Sequence, residues 1–356
     1  MKKQLLPFLL LLFIAPIWAM KVFWKKPASI VRKQTTERTA IPTASLVSAT
    51  PSTVLYVNHA ATGDNNGSSW ENAYTDLQAA LTRASSDNAN TYGSIRQIWV
   101  AKGTYLPSVV PSDFSSGNGT PNPKNFTFKL LNDVDMYGGF DGSETSILQR
   151  NLTNPLNETI LSGDVGVPNV ATDNARHVLF AFEINENTNI DGFTIKDGYA
   201  SQGADGAEIF LNPSGSISTN DGGGIYMLRS QPTLTNCIFR NNHADYSGGA
   251  IYSYSSSPHI LNSKFIGNEA LRNTFGEGGA INFEQNRPGS SRVPLLFGAL
   301  FTDNNAGSEG GAIKNNASLE IFNCTFYQNT AVSNGGGLYN QSFANISGFE
   351  LEELIG

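Results

Sequence analysis

The side chains best suited to chemistry in this chain are its carboxylates, its four histidines and its two cysteines, and their spacing limits what they can do. The densest acidic group is Asp133, Asp135, Asp141 and Glu144 in NDVDMYGGFDGSE. Oxygen ligands of that kind suit calcium, yet turn and edge positions explain these four residues better. No cofactor is therefore expected, and calcium is the one ion left open. The other acids are scattered, as Asp164, Asp191, Asp197, Asp245 and Asp303, with none expected to recur beside another at an equivalent position. A polysaccharide hydrolase needs closely placed carboxylates. A lyase needs acids that hold calcium and a base beside the substrate carboxyl. No Asn-Thr-Asp, Asp-Asp or Gly-His-Gly string occurs. His59, His177, His243 and His259 stand apart without metal-ligand spacing. DGGGIY at 221–226 lacks the lysine and the following helix of a phosphate loop. No catalytic, cofactor-binding or metal-binding residue is assigned.

What recurs is structural. GGGIY at 222–226 returns as GGAIY at 248–252, and worn copies follow. The aliphatic residue after the small triplet is Ile225, Ile251, Ile281, Ile313 and Leu338, spaced 26, 30, 32 and 25 residues apart. A Phe-x-x-Asn follows in each of the first four, with Phe239, Phe265, Phe301 and Phe326 and then Asn242, Asn268, Asn304 and Asn329. Periods of this length mark solenoids, whose units bury their apolar faces only by stacking. The units are strand and turn throughout, so each is expected to be one coil of a right-handed parallel β-helix. Three residues before each Phe stand Asn236, Asn262, Gly298 and Asn323. Asn and Gly tolerate left-handed backbone, which a sharp bend between two strands demands. The later Asn column suits a second corner, where stacked asparagines hydrogen-bond to one another. Small residues, Cys237, Ser263, Ala299 and Cys324, share the inward side of the Phe column. The two cysteines would lie three coils, about 14 Å, apart. A disulfide needs Cα atoms within about 7 Å, so two buried free thiols are expected.

The units GGGIY…NCIFRNN, GGAIY…NSKFIGN and GGAIK…NCTFYQN resemble the repeats of chlamydial polymorphic outer membrane proteins. More widely, they resemble bacterial right-handed parallel β-helix proteins of the pectate-lyase-like superfamily. LYVNHAATGDNNGSSWENAYTDLQAAL and IWVAKGTY are similar to the N-terminal part of such secreted proteins. The resemblance covers roughly residues 54–340. It implies the fold more than the function, because the scaffold hosts lyases, hydrolases, adhesins and passenger domains. Polymorphic outer membrane proteins continue into a translocating β-barrel. Here GGGLYNQS is followed by FANISGFELEELIG, which reads as a truncated end or an unusual short cap.

The rest of the chain supplies the setting. Lys2 and Lys3, an apolar run from Leu5 to Trp18 and then Ala19 have the layout of a secretory signal over residues 1–19. The run is short for a spanning helix of about 20 residues, so no membrane span is expected in the mature chain. An uncleaved anchor is the alternative, with the basic KVFWKK behind it. Residues 20–53 read as a basic, Thr/Ser/Pro-containing linker, 54–345 as the β-helix domain with clear repeats over 222–340, and 346–356 as an atypical tail. Ser68 with Glu71 reads as a capping box, and Trp70, Tyr74, Leu77 and Leu81 form one helical face, so a capping helix is expected over about 68–84. Residues 1–53 carry eight Lys/Arg and one acid, which leaves the remainder at −14. That acidity argues against nucleic acid as a partner. The expectation is an exported protein of roughly ten coils, on the order of 50 Å long. It is expected to be secreted or held at the cell surface, as a non-enzymatic, adhesin-like scaffold for an unknown glycan or surface protein. A polysaccharide lyase or hydrolase on the same scaffold is the alternative.

Overall fold

In the computed structural model, short runs of β-branched and aromatic residues, broken by Gly, Asn and Asp, form thirty-two strands and a single α-helix among the described residues. It describes residues 53–116, 122–201, 209–211, 215–272, 274–290, 292–348 and 350–352. The expected export segment and nearly all of the linker lie outside the described residues.

The strands form three long parallel sheets of nine, eight and seven strands, and a ribbon of five two-residue strands. One coil shows the path. Ile225–Leu228 lies in the seven-stranded sheet, Thr233–Thr235 in the nine-stranded sheet, Ile238–Arg240 in the eight-stranded sheet and His243–Ala244 in the ribbon. The next coil re-enters at Ile251–Tyr254, paired in parallel with the start of the first. This is an all-β parallel β-helix. Nine strands in the longest sheet mean nine levels rather than ten. At about 4.8 Å per level the stack is roughly 38 Å tall, shorter than the sequence suggests.

Register along the stack follows the repeat residues. Ile225, Ile251, Ile281, Ile313 and Leu338 are successive partners in the seven-stranded sheet. Phe239, Phe265, Phe301 and Phe326 are successive partners in the eight-stranded sheet. Their rings stack nearly parallel, with centroids 4.9, 4.7 and 4.8 Å apart, so the ring spacing matches the strand spacing. Asn236, Asn262, Gly298 and Asn323 take the left-handed position of the two-residue corner between two sheets, with φ of 52°, 49°, 65° and 52°. One step further in, Cys237, Ser263, Ala299 and Cys324 are buried, and both cysteines are free thiols.

Asn242, Asn268, Asn304 and Asn329 stack below the Phe column. The Nδ2 of Asn242 donates to Oδ1 of Asn268 at 3.0 Å. Asn268 repeats this toward Asn304 at 3.0 Å, and Asn304 toward Asn329 at 2.8 Å. Each of the first three also has its backbone N–H on the next side-chain oxygen. The left-handed residue at this corner is the one before the column, at Asn241, Gly267, Asp303 and Gln328. The Asn side chains thus serve as an internal ladder and leave the bend to their neighbours.

Two boundaries differ from the sequence reading. The helix, α1, spans Leu77–Asn90, with Asp76 as its N-cap accepting from Gln78 N–H. It packs Leu77, Ala80, Leu81 and Ala84 against the first strands, Thr53–Val57 and Ile95–Ala101. Ser68 and Glu71 therefore cap no helix. Trp70 instead joins Tyr56, Trp99 and Phe140 in an aromatic cluster, its indole N–H donating to Glu144 C=O at 2.8 Å. Tyr74 makes a parallel bridge to Val57. An i, i+4 spacing of aromatics arose from sheet packing, not from helix. At the other boundary, the coil that begins at Gly335 does supply its next strands. Ala344–Ser347 pairs with Leu319–Phe322, and Glu350–Glu352 pairs with Thr325–Tyr327. Gly348, at φ 65°, takes the corner, and Leu351 is the partner of Phe326. Residues 346–348 and 350–352 therefore continue the β-helix.

Candidate functional site

Side chains alternate along a strand, so each sheet has one row inside and one row outside. The outer row of the eight-stranded sheet includes Thr194, Ile238 and Arg240, set between inward Ile195 and Phe239. The segment 146–158 folds over this row through two 3-10 turns, Ile147–Gln149 and Pro155–Asn157. Arg150 pins the segment down. Its guanidinium meets Asp191 Oδ2 at 2.8 Å and Gly138 C=O at 3.0 Å, and it lies over the rings of Tyr137 and Phe140. Leu152 can pass close to the sheet only because Gly139 and Gly192 have no Cβ. A Cβ at either would meet its Cδ2 at 2.3 and 2.9 Å.

Between this segment and the sheet runs a groove of about 280 Å³. Leu152, Pro155 and Ile238 supply apolar surface, and Thr153, Asn154, Asn157, Thr194, Asn236, Glu158 and Arg240 supply polar groups. Glu158 accepts from Thr194 Oγ1 at 2.7 Å and pairs with Arg240 at 3.1 Å. Both charged side chains are about a third exposed, so the pair is open to solvent and to an exchange of partners. Asn236, on the left-handed corner, donates to Asp191 Oδ1 at 2.8 Å. A second hollow, lined by Asp141, Ser143, Glu144, Gln149 and Asn151, adjoins it through Asn154 and Asn157. Apolar surface with a few convergent donors and acceptors is what a small ligand or a sugar chain requires.

The acidic group 133–144 divides between the two ends of one strand. Asp133 accepts from Tyr92, Asn185 and Asn187. Burial pushes Asp135 up to about 6, against its bonds from Asn189 and Tyr137. Glu144 is buried and accepts the backbone N–H groups of Asp141, Gly142 and Ser143 at 2.8–3.1 Å. Among the described residues, no group of three or more His, Cys, Asp or Glu side chains is placed to hold a metal ion.

Just before the strands of the seven-stranded sheet, a column of isolated bridges holds a second set, which corrects the reading that no acids recur side by side. Asp221, Ser247, Glu277, Glu309 and Asn334 are successive bridge partners along the stack. They immediately precede the Gly-Gly of each repeat, and that fixed position was the signal available in the sequence. Glu277 and Glu309 lie on adjacent levels, and both contact Lys314 Nζ, at 2.9 and 2.8 Å. Two levels from Glu277, burial raises the Asp221 carboxyl to about 6, opposed by bonds from Ser218 and Ser247. The upper part of this face is covered. Phe180, Tyr226 and Leu228 pack under a three-stranded antiparallel sheet built from Phe114–Ser116, Ile209–Leu211 and Gly215–Ile217. Burial holds His177, beneath Tyr226, near 4 and hence neutral.

Two stretches, 236–254 and 323–341, match the Chlamydia polymorphic membrane protein repeat. Each begins on the left-handed corner, at Asn236 and Asn323. Each then runs through the stacked Phe and the ladder Asn to the Gly-Gly and its following strand. The matched unit is therefore one turn of the coil read from corner to sheet, and the chain carries repeats of this type. No curated protein and no solved structure matches the chain. No helix among the described residues is long and apolar enough to cross a membrane.

Proposed function

We propose that this chain is an exported, surface-exposed, adhesin-like β-helix that binds its partner without transforming it, with the groove between residues 146–158 and the eight-stranded sheet as the contact site. The observation that carries the reading is the match of two coils to the Chlamydia polymorphic membrane protein repeat. In the groove, Glu158 and Arg240 are about a third exposed and bonded to each other, while Asn154, Asn157 and Thr194 flank them. This set offers donors and acceptors to hydroxyl groups, with Leu152 and Ile238 beneath a sugar face. A hydroxyl-rich glycan is the favoured ligand.

Lyase or hydrolase chemistry would need further carboxylates working with Glu158. The neighbouring Asp191 is instead committed to Arg150 and Asn236, at 2.8 Å each. That commitment favours binding over turnover. The test is binding of the purified chain to a panel of immobilised glycans, repeated with Glu158→Ala and Arg240→Ala. The reading expects retention of at least one glycan class, a tenfold or greater loss in either variant, and no unsaturated product from uronic-acid polymers. Binding unchanged in both variants would place the contact elsewhere.

A further inference from the structure

The position after the repeat's aliphatic residue reads Tyr226, Tyr252, Asn282, Lys314 and Tyr339, so tyrosine gives way to an amide and an amine on two adjacent levels. Asn282 and Lys314 are direct partners in the parallel register, about 4.8 Å apart along the stack. Both lie on the outer row, because Ile281 and Ile313 beside them face the core. Both are buried, at 1% and 2% exposure. The Lys314 ammonium rests between two carboxylates, Glu277 on the level of Asn282 and Glu309 on its own level, and over the ring of Tyr339. Neither polar atom of the Asn282 side chain has a hydrogen-bond partner. Buried polar groups are rarely left so. A buried lysine, a buried unpartnered amide on the neighbouring strand and a carboxylate touching the amine are the three groups needed for transamidation.

We propose that Lys314 and Asn282 form an intramolecular isopeptide bond, with Glu277 as the proton relay and Glu309 holding the amine in place. Glu277 first takes a proton from the ammonium, leaving a neutral amine and a neutral carboxylic acid. The Nζ lone pair then attacks Cγ of Asn282, and the carbonyl electrons move to the oxygen. Glu277 gives its proton to the amide nitrogen as the C–N bond breaks, and takes one from the attacking nitrogen as the carbonyl re-forms. Ammonia leaves and accepts the remaining proton from Glu277. One C–N bond is made and one broken, one ammonium ion is released, and no oxidant or external energy source is needed. The link would join two adjacent coils covalently, on a face separate from the groove over the eight-stranded sheet.

Mass spectrometry of the intact chain tests this directly. The expected mass is lower than the sequence mass by one ammonia, after allowance for any removed leader. Trypsin should fail to cut after Lys314 and should yield a branched peptide containing Asn282. Lys314→Met and Asn282→Ala should restore the full mass, and Glu277→Gln should leave the amine and amide unreacted. Asn282→Asp should still link, losing one water instead of one ammonia. A native chain at its full mass and cleaved after Lys314 would overturn the proposal, as would simple deamidation of Asn282. A bond that survives Glu277→Gln but not Glu309→Gln would overturn the assigned relay.

Discussion

The asparagine ladder can be tested most sharply at Asn268, which is fully buried between two like neighbours. Its Oδ1 accepts from the backbone N–H and the Nδ2 of Asn242, at 3.2 and 3.0 Å. Its Nδ2 donates to Asn304 Oδ1 at 3.0 Å and to Phe239 C=O at 2.9 Å. Asn268→Ala removes all four bonds at once. Asn242 Nδ2 keeps Ile195 C=O, and Asn304 Oδ1 keeps the Asn268 backbone N–H. The Asn242 N–H and the Phe239 carbonyl lose these partners inside the coil. Each buried group left unsatisfied costs about 1–3 kcal/mol, so the substitution should destabilise by about 4 kcal/mol.

The control is Asn262→Ala, at the exposed left-handed corner of the same coil. There the loss is only the backbone preference, about 1–2 kcal/mol. Urea unfolding followed by far-ultraviolet circular dichroism gives the two midpoints. Hydrogen exchange should show the loss concentrated in the coils on either side of Asn268, because each repeat contacts only its neighbours. The bonded groups are neutral, so the difference should survive added salt. Equal shifts for Asn268→Ala and Asn262→Ala would refute the claim that the ladder carries stability beyond its backbone geometry.

Three further outcomes are expected. Burial raises the Cys237 thiol to about 12 and raises Cys324 as well, so neither should react with a thiol reagent at pH 8 until denaturant is added; rapid native labelling would contradict their placement. Burial works against a charged His243, but its bonds to Asp245 and Glu269 outweigh this and raise it to about 9. A folded value above the ordinary 6.5 stabilises fully below that pH, with the contribution fading as pH rises toward 9; His243→Gln should flatten the fall in stability over that window, and an unchanged slope would count against the ion pairs. A Cβ at Gly249 would sit 2.4 Å from the carbonyl oxygens of both Glu269 and Gly279, whereas one at Gly289 would meet nothing within 4 Å. Gly249→Ala should therefore cost about 3 kcal/mol by overpacking and Gly289→Ala about 1 kcal/mol through its left-handed φ alone, measured by thermal unfolding; similar losses would refute the close-approach argument.

The coil was legible wherever one residue type recurs at one position. Phe239, Phe265, Phe301 and Phe326 stack ring on ring, and the corner before them carries only Asn or Gly at positive φ, so both columns stand out in the sequence. The coil after Gly335 was hidden because Leu351 stands in the register of the Phe and Gly348 takes the positive-φ corner in place of the Asn. The start of α1 was misplaced because Trp70 and Tyr74 mimic helical spacing while packing on strands. The sheet over Phe180 and Tyr226 joins strands about a hundred residues apart, a pairing no local pattern announces. The groove was missed for the same reason, since Glu158 and Arg240 meet across 82 residues.

The acidic column shows why fold and chemistry were unequally visible. A position that must fill the core or turn the chain faces the same demand on every level, so its residues agree and the column can be seen. An outer position faces no such demand, and its residues are free to differ. Asp221, Ser247, Glu277, Glu309 and Asn334 share a bridge position but little chemistry, and Tyr226, Tyr252, Asn282, Lys314 and Tyr339 vary beside them. A search for recurring residues passes over such columns, while stacking at about 4.8 Å brings their unlike members into contact. Lys314 meets Glu277 and Glu309 only because two non-repeating columns run side by side. In a solenoid of this kind, the residues to examine for chemistry are those at fixed positions of the repeat where successive coils disagree.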